Sequence, residues 1–444
     1  MKNFINVLWL LTIFSGSISA QESVGITGNV NWLSNWTEFD PKNVDYDEET
    51  HILTGNITED VTLLKGNTYL LVGNVFVTND AILSIEPGTV IKGDFMTKAT
   101  LTITQGASII AEGTPTDPIV FTSNASRKKP GDWGGIIIIG DGYTNKVKEK
   151  SVAAFYPDIK FSNYEHTSYG GDGLKDNSGF LSYVRVEYAG AKAKQSPDAN
   201  AILLAGVGVK TVINQVMVSY SGDNSFGIIG GEVNLNKIVS YKAKGIDYNF
   251  NYGVKCNIDN ALAIRYPFVS TGKSKCIRAV SYENALDNDF SKKGTEITAS
   301  HMTLLTDTND LDYAIKSGLT KEAVYIGDHT NFKMVNSVIS GFSTGVLFGE
   351  KIVLDNTNLS LIKFENMHFN NCNNGKHFAK YNTSSNGTVE SWYRDPAFSN
   401  KYSSTNHSEL FLNLNINKRP DFRLKTKLVL VAANNNKKAV VPSN

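Results

Sequence analysis

Short runs of β-branched and aromatic residues organise most of this chain. Gly, Asn or Asp bounds many of the runs, and these residues tolerate the backbone conformations at which strands end. No long window shows the 3.6-residue periodicity of an amphipathic helix. The runs occupy residues 68–77, 81–91, 100–110, 118–123, 135–139, 181–188, 212–220, 233–241, 258–266, 276–282, 297–305, 332–339 and 361–369. The pattern predicts a protein made of many short strands.

Two internal repeats suggest how the strands are arranged. Residues 83–88 (LSIEPG) match residues 101–106 (LTITQG) at an offset of 18, which also relates Ile91 to Ile109. A second motif, a β-branched residue followed two positions later by Tyr, recurs at steps averaging about 23 residues. Its copies are Val186/Tyr188, Val218/Tyr220, Val239/Tyr241, Ile264/Tyr266 and Val280/Tyr282. Variable steps with a fixed strand motif indicate a coil whose strands stack while its loops vary in length.

We therefore predict an all-β fold, a right-handed parallel β-helix over residues 68–375. A pair of antiparallel β-sandwiches is the alternative, but regular Asn-Gly or Asp-Gly hairpin turns are missing between the runs. Because an open terminal coil exposes unpaired backbone, capping segments are expected at residues 21–67 and 376–432. Residues 433–444 are rich in Asn and Lys, and we expect a disordered tail there.

The first twenty residues have the composition of a secretory signal peptide. Lys2 supplies a basic start, residues 4–14 are mainly apolar, and residues 15–20 are small and polar. We expect cleavage between Ala20 and Gln21, and hence a secreted or cell-surface protein. No later stretch has the length of a membrane helix.

Charge and cysteine content exclude several classes of protein. Lys plus Arg equals Asp plus Glu at 43 each, so the formal net charge is zero and nucleic acid is not an expected partner. The three cysteines, Cys256, Cys276 and Cys372, show no zinc-like spacing and allow at most one disulfide, with pairing of Cys256 and Cys276 left open.

Several longer motifs resemble the secreted β-helix proteins that are abundant in Bacteroidota. The matching segments are residues 83–93 (LSIEPGTVIKG), 111–123 (AEGTPTDPIVFTS), 131–135 (GDWGG), 183–190 (YVRVEYAG), 218–223 (VSYSGD), Ser225-Phe226 with Gly230-Gly231, and 420–423 (PDFR). The resemblance implies a right-handed parallel β-helix on an exported, envelope-associated protein, and it implies no defined activity.

The same resemblance suggests where a cation could bind. Its pattern has an acidic pair after the Tyr-Ser-Gly stretch and an Asp-rich segment one coil later, where this chain has Asp223-Asn224 and a segment with Asp247 as its one carboxylate. Asp223, Glu232 and Asp247 are the candidate ligands of a Ca²⁺ site, if the coils align them. Since Ca²⁺ prefers six to eight oxygens with several carboxylates, solvated corner residues are the favoured interpretation.

The sequence is compatible with two functions, binding without turnover and carbohydrate cleavage. The first is a binding or structural module without turnover, with an extracellular glycan or an envelope protein as partner. It would be supported by aromatic side chains on one exposed face, for which the candidates are Tyr169, Tyr183, Tyr188, Tyr220, Tyr241, Tyr266 and Tyr282. The alternative is a polysaccharide lyase or glycoside hydrolase, which needs a groove with at least two carboxylates and a basic residue. No catalytic residue or cofactor is assigned from the sequence, and an internal stabilising stack is the favoured role of the tyrosines.

Overall fold

A computed structural model describes residues 23–148, 150–156, 166–173, 176–192, 198–372, 377–382 and 386–425. The predicted signal peptide, its cleavage site and the predicted tail at 433–444 lie outside these residues. Strands dominate, and 29 of them form one continuous sheet while two more form a separate pair.

The strands follow one another at short intervals along the chain. They are β1 His51–Ile57, β2 Val61–Leu63, β3 Thr68–Val77, β4 Ile82–Ile85, β5 Val90–Gly93, β6 Thr100–Ile103, β7 Ser108–Glu112, β8 Ile119–Ser123, β9 Gly135–Ile139, β10 Gly179–Glu187, β11 Asn200–Ala205, β12 Val212–Ser219, β13 Asn224–Ile229, β14 Glu232–Asn236, β15 Val239–Tyr241, β16 Ile246–Asn251, β17 Lys255–Asp259, β18 Leu262–Arg265, β19 Lys275–Ala279, β20 Glu296–Ser300, β21 Thr303–Thr306, β22 Glu322–Ile326, β23 Asn331–Val335, β24 Val338–Ser340, β25 Thr344–Phe348, β26 Ile362–Glu365, β27 His368–Asn370, β28 Phe378–Lys380, β29 Lys401–Ser403, β30 Phe411–Asn413 and β31 Asp421–Leu424.

Short helices interrupt this series. The α-helices are α1 Leu311–Lys316, α2 Asn356–Leu361, α3 Asn386–Tyr393 and α4 His407–Leu410, and 3-10 turns cover Pro41–Asn43, Val152–Ala154, Pro267–Val269, Ala285–Asp287 and Pro396–Phe398.

The strands of the large sheet form three parallel stacks, and each coil of the chain adds a strand to each stack. Stack A contains β2, β4, β7, the first halves of β10 and β12, β14, β17, β20, β23 and β26. Stack B contains the first halves of β1 and β3, β5, β8, the second halves of β10 and β12, β15, β18, β21, β24, β27 and β29. Stack C contains the ends of β1 and β3, β6, β9, β11, β13, β16, β19, β22, β25 and β28. The predicted all-β right-handed parallel β-helix is confirmed.

The interior of the coil is filled by alternate side chains of each strand. In β17, Cys256 and Ile258 are buried whereas Asn257 between them is exposed, which is the period of two expected of a strand. Like side chains stack from coil to coil, as where the rings of Phe226 and Tyr248 lie 5.5 Å apart. The stacked interior explains why similar residues recur along the sequence.

Left-handed residues mark the corner between stacks A and B in successive coils. Seven residues there have φ between 49° and 58°: Tyr183, Gln215, Lys237, Asn260, His301, Asn336 and Asn366. Asn tolerates this conformation better than most residues, and Asn366 donates from its side-chain amide to Asn336 at 2.7 Å. The enrichment in Asn is in part a consequence of this corner.

The sequence repeats identified the strands better than their registers. Leu83 pairs with Ile109, not Leu101, and Ile91 pairs with Phe121, so the register at an offset of 18 is wrong. LSIEPG and LTITQG belong to β4 in stack A and β6 in stack C, and they are alike because both are short strands that end at a glycine turn.

The alignment that the Tyr motif implies is correct for its first two copies and shifted for the later ones. Val186 pairs with Val218 as expected, but Val239 lies on Met217 and Ile264 lies on Tyr241. Val280 follows the end of β19 in stack C rather than stack B.

The segment before β1 lies along the side of the coil rather than over its first turn. Its side chains Ile26, Leu33, Trp36 and Phe39 form a core cluster with residues on the outer face of stack B. The backbone of Gly25 donates to Asn336 at 2.8 Å, beside a late coil. Residues 23–43 therefore run back along stack B toward the first coil, and β1 itself supplies the first turn.

Residues after β28 cover the other end of the coil. Val389 and Tyr393 of α3 belong to the main core cluster, and the ring of Tyr393 stacks on Phe378 with centroids 4.4 Å apart. The chain then returns over stack B, where Phe411 and Phe422 of the β30–β31 pair join the same cluster as the N-terminal segment.

The three cysteines are free and buried. Cys256 lies on stack A and Cys276 on stack C, so the disulfide left open by the sequence is not formed.

Candidate functional site

The outer surfaces of the three stacks differ in how far the chain itself covers them. Stack B is covered by residues 23–43 and 406–425 over its middle and late coils. Strands β9 and β11 of stack C are covered by an insertion that includes Val152, Tyr156 and Tyr169, which pack on Ile137 and Leu203. The later coils of stack C carry charged and amide side chains, and we treat this face as the candidate site.

Asp223 lies immediately before β13, at the corner where the chain enters stack C from stack B. One of its carboxylate oxygens, Oδ2, accepts from Lys192 Nζ at 2.8 Å and from the backbone of Ala199 at 3.0 Å. The side chain lies over Gly245 of the next coil, where an added Cβ would be 2.6 Å from Asp223 Oδ1. The missing side chain at Gly245 thus makes room for the carboxylate.

A second charged pair lies on the following coils of the same face. Arg278 forms two parallel bonds to Glu283, both of 2.7 Å, and donates to Asn249 Oδ1 at 3.3 Å. Asn251 donates to the same Glu283 at 2.6 Å. Asn249, Arg278 and Tyr325 occupy one register position on three successive strands. This bidentate pair holds the guanidinium, on a side chain that is 18% exposed, in a fixed orientation on this face.

The carboxyl of Asp198 is affected by the charges of both pairs. Burial raises the pKa of its carboxyl, and the nearby charges of Asp223 and Glu283 raise it further, against the opposing effects of Arg278 and Lys192. A carboxyl with a raised pKa beside an ion-paired carboxylate is an arrangement in which one group can hold a proton while the other stays charged.

Glu232 lies on a different face from Asp223. It begins β14 in stack A and its Oε1 accepts from Lys255 Nζ at 3.0 Å, one coil further on. It therefore belongs to the solvated surface of stack A, and the structure does not bring it together with Asp223.

Asp247 is enclosed inside the corner between stacks B and C. It is fully buried, and its two oxygens accept from Ser240 Oγ at 2.5 Å and Arg265 Nη1 at 2.8 Å. Burial raises the pKa of Asp247 against the lowering effect of Arg265. Within the described ranges no three His, Cys, Asp or Glu side chains are grouped so as to hold a metal ion. The Ca²⁺ site at Asp223, Glu232 and Asp247 stays a prediction.

The candidate tyrosines do not form one exposed face. Tyr169, Tyr188 and Tyr241 are buried, and the others are partly buried. Trp36 of the N-terminal segment packs edge-on against Tyr183 at 5.9 Å. The tyrosines on stack B are thus part of the contact between the coil and the terminal segments.

Asp198, Arg278 and Glu283 were not singled out from the sequence. Arg278 lies between the buried residues Ile277 and Ala279, which is a signal that the alternation of the strand could have supplied. Glu283 lies in a long corner without periodicity, and its pairing with Arg278 depends on how that corner folds back. No local pattern indicates such a contact.

Comparison with known proteins agrees with the observed architecture. The model of a family described as a pectate-lyase-like β-helix domain matches residues 55–408. No curated protein matches the chain. A crystal structure of a pectin methylesterase in complex with a hexasaccharide aligns with 81% of this chain and 91% of its own, at 10% identity and a TM-score of 0.14. That score is too low to support an inference about the site. In the part of the chain that the structure describes, no helix is long and apolar enough to span a bilayer.

Proposed function

Because the chain belongs to the pectate-lyase-like β-helix family, we propose that it is an exported protein that binds a polysaccharide along the open part of stack C without cleaving it. The signal-like N-terminus supports export to the cell surface or the medium. The neutral formal charge supports a ligand held by local hydrogen bonds rather than by the field of the whole protein.

The network of Arg278, Glu283, Asn249 and Asn251 is the observation that carries this proposal. Glu283 is its most accessible member, with a side chain that is 45% exposed, whereas Arg278 is 18% exposed and Asn249 and Asn251 are buried. Its members lie on neighbouring strands, and strands of a sheet repeat at about 4.8 Å. A chain of sugars carries hydroxyl groups at short, regular intervals and is matched by such a surface. Because the side chains are already held by one another, little conformational entropy is lost when a ligand binds.

The same network supports binding over turnover. Glu283 is occupied by Arg278 and Asn251, and Asp223 by Lys192 and Ala199. A reaction would have to break these bonds before either carboxylate could act on a substrate.

An array of plant, algal and bacterial polysaccharides tests the proposal, using the chain from Gln21 onward and a reducing-sugar assay on every polymer retained. Arg278→Lys keeps the charge but loses the bidentate geometry, and we expect binding to weaken by about tenfold, or about 1.4 kcal/mol. Arg423→Lys is the matched control, because Arg423 also makes a bidentate pair, with Asp421 on β31, and this pair lies over stack B. Retention of no polymer, or equal binding by both variants, would contradict the proposal.

A hydrolase is the second candidate, and the environment of Asp198 is the observation in its favour. The raised pKa of Asp198 suits a general acid, and Asp223 would be the base or nucleophile once its bonds to Lys192 and Ala199 are broken. If the protein cleaves a retained polymer, Asp198→Asn and Asp223→Asn should each abolish release of reducing ends while binding persists. Turnover that survives both substitutions would exclude this pair.

A further inference from the structure

A cleft of 820 Å³ opens on the late coils, between the corner that follows β21 and the C-terminal residues that return over stack B. Its buried lining is apolar, because Ile264, Leu305 and Phe422 belong to the core cluster of that surface. Leu414 and Ile416, which pack against the same cluster and are partly buried, line it as well. The cleft is large enough to take several apolar side chains.

The rim of the cleft is acidic at the corner after β21. Asp307, Asp310 and Asp312 line the cleft and are exposed, whereas no Lys or Arg is among the described residues that line it. Lys242 Nζ lies 3.8 Å from Asp307 Oδ2. His407 adds no positive charge at neutral pH, because burial lowers its pKa to about 4. The cleft therefore favours an occupant that combines apolar side chains with positive charge.

A buried hydroxyl in the lining lacks a partner. Thr306 is 1% exposed, and its Oγ1 has no hydrogen bond within the described residues. Buried polar groups are nearly always hydrogen-bonded. A peptide in the cleft supplies the backbone N–H and C=O groups that a hydroxyl of this kind bonds.

Lys425, the last residue that the structure describes, lies beside this cleft. Its backbone N–H donates to the carbonyl of Leu410 at 2.9 Å, and its Nζ donates to the carbonyl of Ser408 at 2.7 Å. Ser408 lines the cleft, as does Phe422 three residues before Lys425. Because an extended chain covers about 3.3 Å per residue, a few further residues are enough to enter the cleft.

The residues that follow have the composition that the cleft favours. Residues 428–432 (LVLVA) form an apolar run, Lys427 precedes the run, and Lys437 and Lys438 follow it. Residues 426–444 contain no Asp or Glu. An apolar run with β-branched residues promotes aggregation when it is exposed, so a covered position is favoured.

We propose that residues 426–432 dock into this cleft of their own chain, with the apolar run against Leu305, Leu414 and Phe422 and the lysines of the segment toward the acidic rim. Docking there completes the C-terminal cap that the sequence predicts to end at residue 432. It is independent of the proposed function, because it involves no ligand.

Hydrogen exchange followed by mass spectrometry, on the chain from Gln21 onward, tests the docking. The amides of residues 426–432 should exchange about tenfold or more slowly than those of a free peptide of the same sequence, at every protein concentration. Leu428→Asp with Leu430→Asp should abolish this protection and also speed exchange at residues 305–317, which border the cleft. Peptides from β4 to β8 should be unchanged and report that the coil is folded.

A charge variant tests the acidic rim. Asp307→Asn with Asp310→Asn should lower the protection of residues 426–432 about fivefold, since two exposed charges are removed. Asp172→Asn with Asp355→Asn is the matched control. Asp310 and Asp355 both cap a short helix through the side chain, and Asp172 and Asp355 are exposed outside the cleft. The control should retain the protection of the unmodified chain.

Four results would contradict the docking. Exchange of residues 426–432 at the rate of the free peptide would mean that the segment is uncovered. Protection without any change at residues 305–317 in the Leu428 and Leu430 variant would place the segment elsewhere. Protection that disappears on dilution would show that it binds a second copy of the chain. Equal losses in the two charge variants would assign the effect to net charge and not to the rim.

Discussion

Arg265 and Asp247 form an ion pair inside the corner of the coil, with Nη1 and Oδ2 separated by 2.8 Å and the side chains 4% and 0% exposed. Arg265 also donates from Nη1 to the carbonyl of Lys275 at 3.2 Å and from Nη2 to the carbonyl of Ala243 at 3.1 Å and to Ser270 Oγ at 3.2 Å. Two charges can be buried at tolerable cost only when such partners are complete.

Removing one member of this pair should therefore destabilise the coil strongly. Arg265→Ala leaves the buried Asp247 carboxylate without its counter-charge, and we expect a loss of about 3–5 kcal/mol in the free energy of unfolding. Urea unfolding followed by circular dichroism measures the loss.

The double variant Arg265→Met with Asp247→Leu is the control for that prediction. It removes both charges and fills similar volume, and it should be much less destabilised than Arg265→Ala. If the two variants lose the same stability, the effect comes from packing rather than from the unpaired charge.

Glu187 provides a pH-dependent test of the contact between the N-terminal segment and stack B. It is 1% exposed, and Tyr46 donates to it at 3.2 Å. Burial raises the pKa of Glu187 to about 6, against the lowering effect of Arg185. Because the folded pKa is above the unfolded one, this group adds stability below pH 4.5 that is lost as the pH rises through 6.

Glu187→Gln should remove that pH dependence. Relative to the unmodified chain, the variant should gain about 2 kcal/mol between pH 4.5 and pH 7, from a shift of about 1.5 pH units at 1.36 kcal/mol per unit. Chemical unfolding at a series of pH values measures it. A constant difference between the two proteins across this range would mean that Glu187 titrates normally.

The strands could be predicted from the sequence because the burial of alternate side chains leaves an apolar–polar pattern within each strand. A buried alternate position, such as Ile258 in β17, repeats in every coil and so leaves a pattern. No such pattern shows to which stack a strand belongs. For that reason the repeat at an offset of 18 aligns Leu83 with Leu101, although Leu83 pairs with Ile109.

The candidate site was largely beyond prediction for a related reason. Asp223 was identified because a motif precedes it, but its partner Lys192 is in a non-repeating loop. For Asp247 the favoured interpretation from the sequence is a solvated corner residue, whereas the corner at which β15 and β16 meet turns its side chain toward Arg265. The covering of stack B by both terminal segments depends on contacts more than 200 residues apart in sequence, such as that between Thr27 and Asn260, and no local pattern encodes them.

Trp36 anchors the N-terminal segment to the side of the coil. It is fully buried, packs on Tyr183, and donates from Nε1 to the carbonyl of Trp32 at 2.7 Å. Trp36→Ala should cost about 3–5 kcal/mol if the segment stays in place, or less if residues 23–43 detach while the coil remains folded.

Limited proteolysis followed by mass spectrometry separates these outcomes for Trp36→Ala. We expect early cleavage within residues 23–43 and a protected coil, because the coil has its own core cluster. Phe95→Ala, at an exposed position on the coil, should show the digestion pattern of the unmodified chain. Simultaneous loss of the segment and the coil would show that the segment is part of the cooperative core.

The first strand of the coil, β1, has an open edge and is flanked in the sequence by acidic residues. β1 pairs with β3 on one side, and its other edge has no strand partner in the described part of the chain, while Ile52 is 66% exposed. Such edges recruit other strands unless charges oppose it. Acidic residues surround this edge at positions 45, 47, 48, 49, 59 and 60, and helix α3 covers only the opposite end.

Neutralising part of this charge should therefore cause end-to-end association. In the triple variant Asp47→Asn, Glu48→Gln and Glu59→Gln, we expect dimers or larger species to appear as concentration rises, measured by size-exclusion chromatography with light scattering. The unmodified chain should associate more in 1 M salt, where the screening length falls to about 3 Å. The triple variant Asp312→Asn, Glu350→Gln and Glu409→Gln changes the net charge equally at exposed positions elsewhere and should behave like the unmodified chain. Association of both variants would assign the effect to net charge, and association of neither would mean that the edge is protected by something other than its carboxylates.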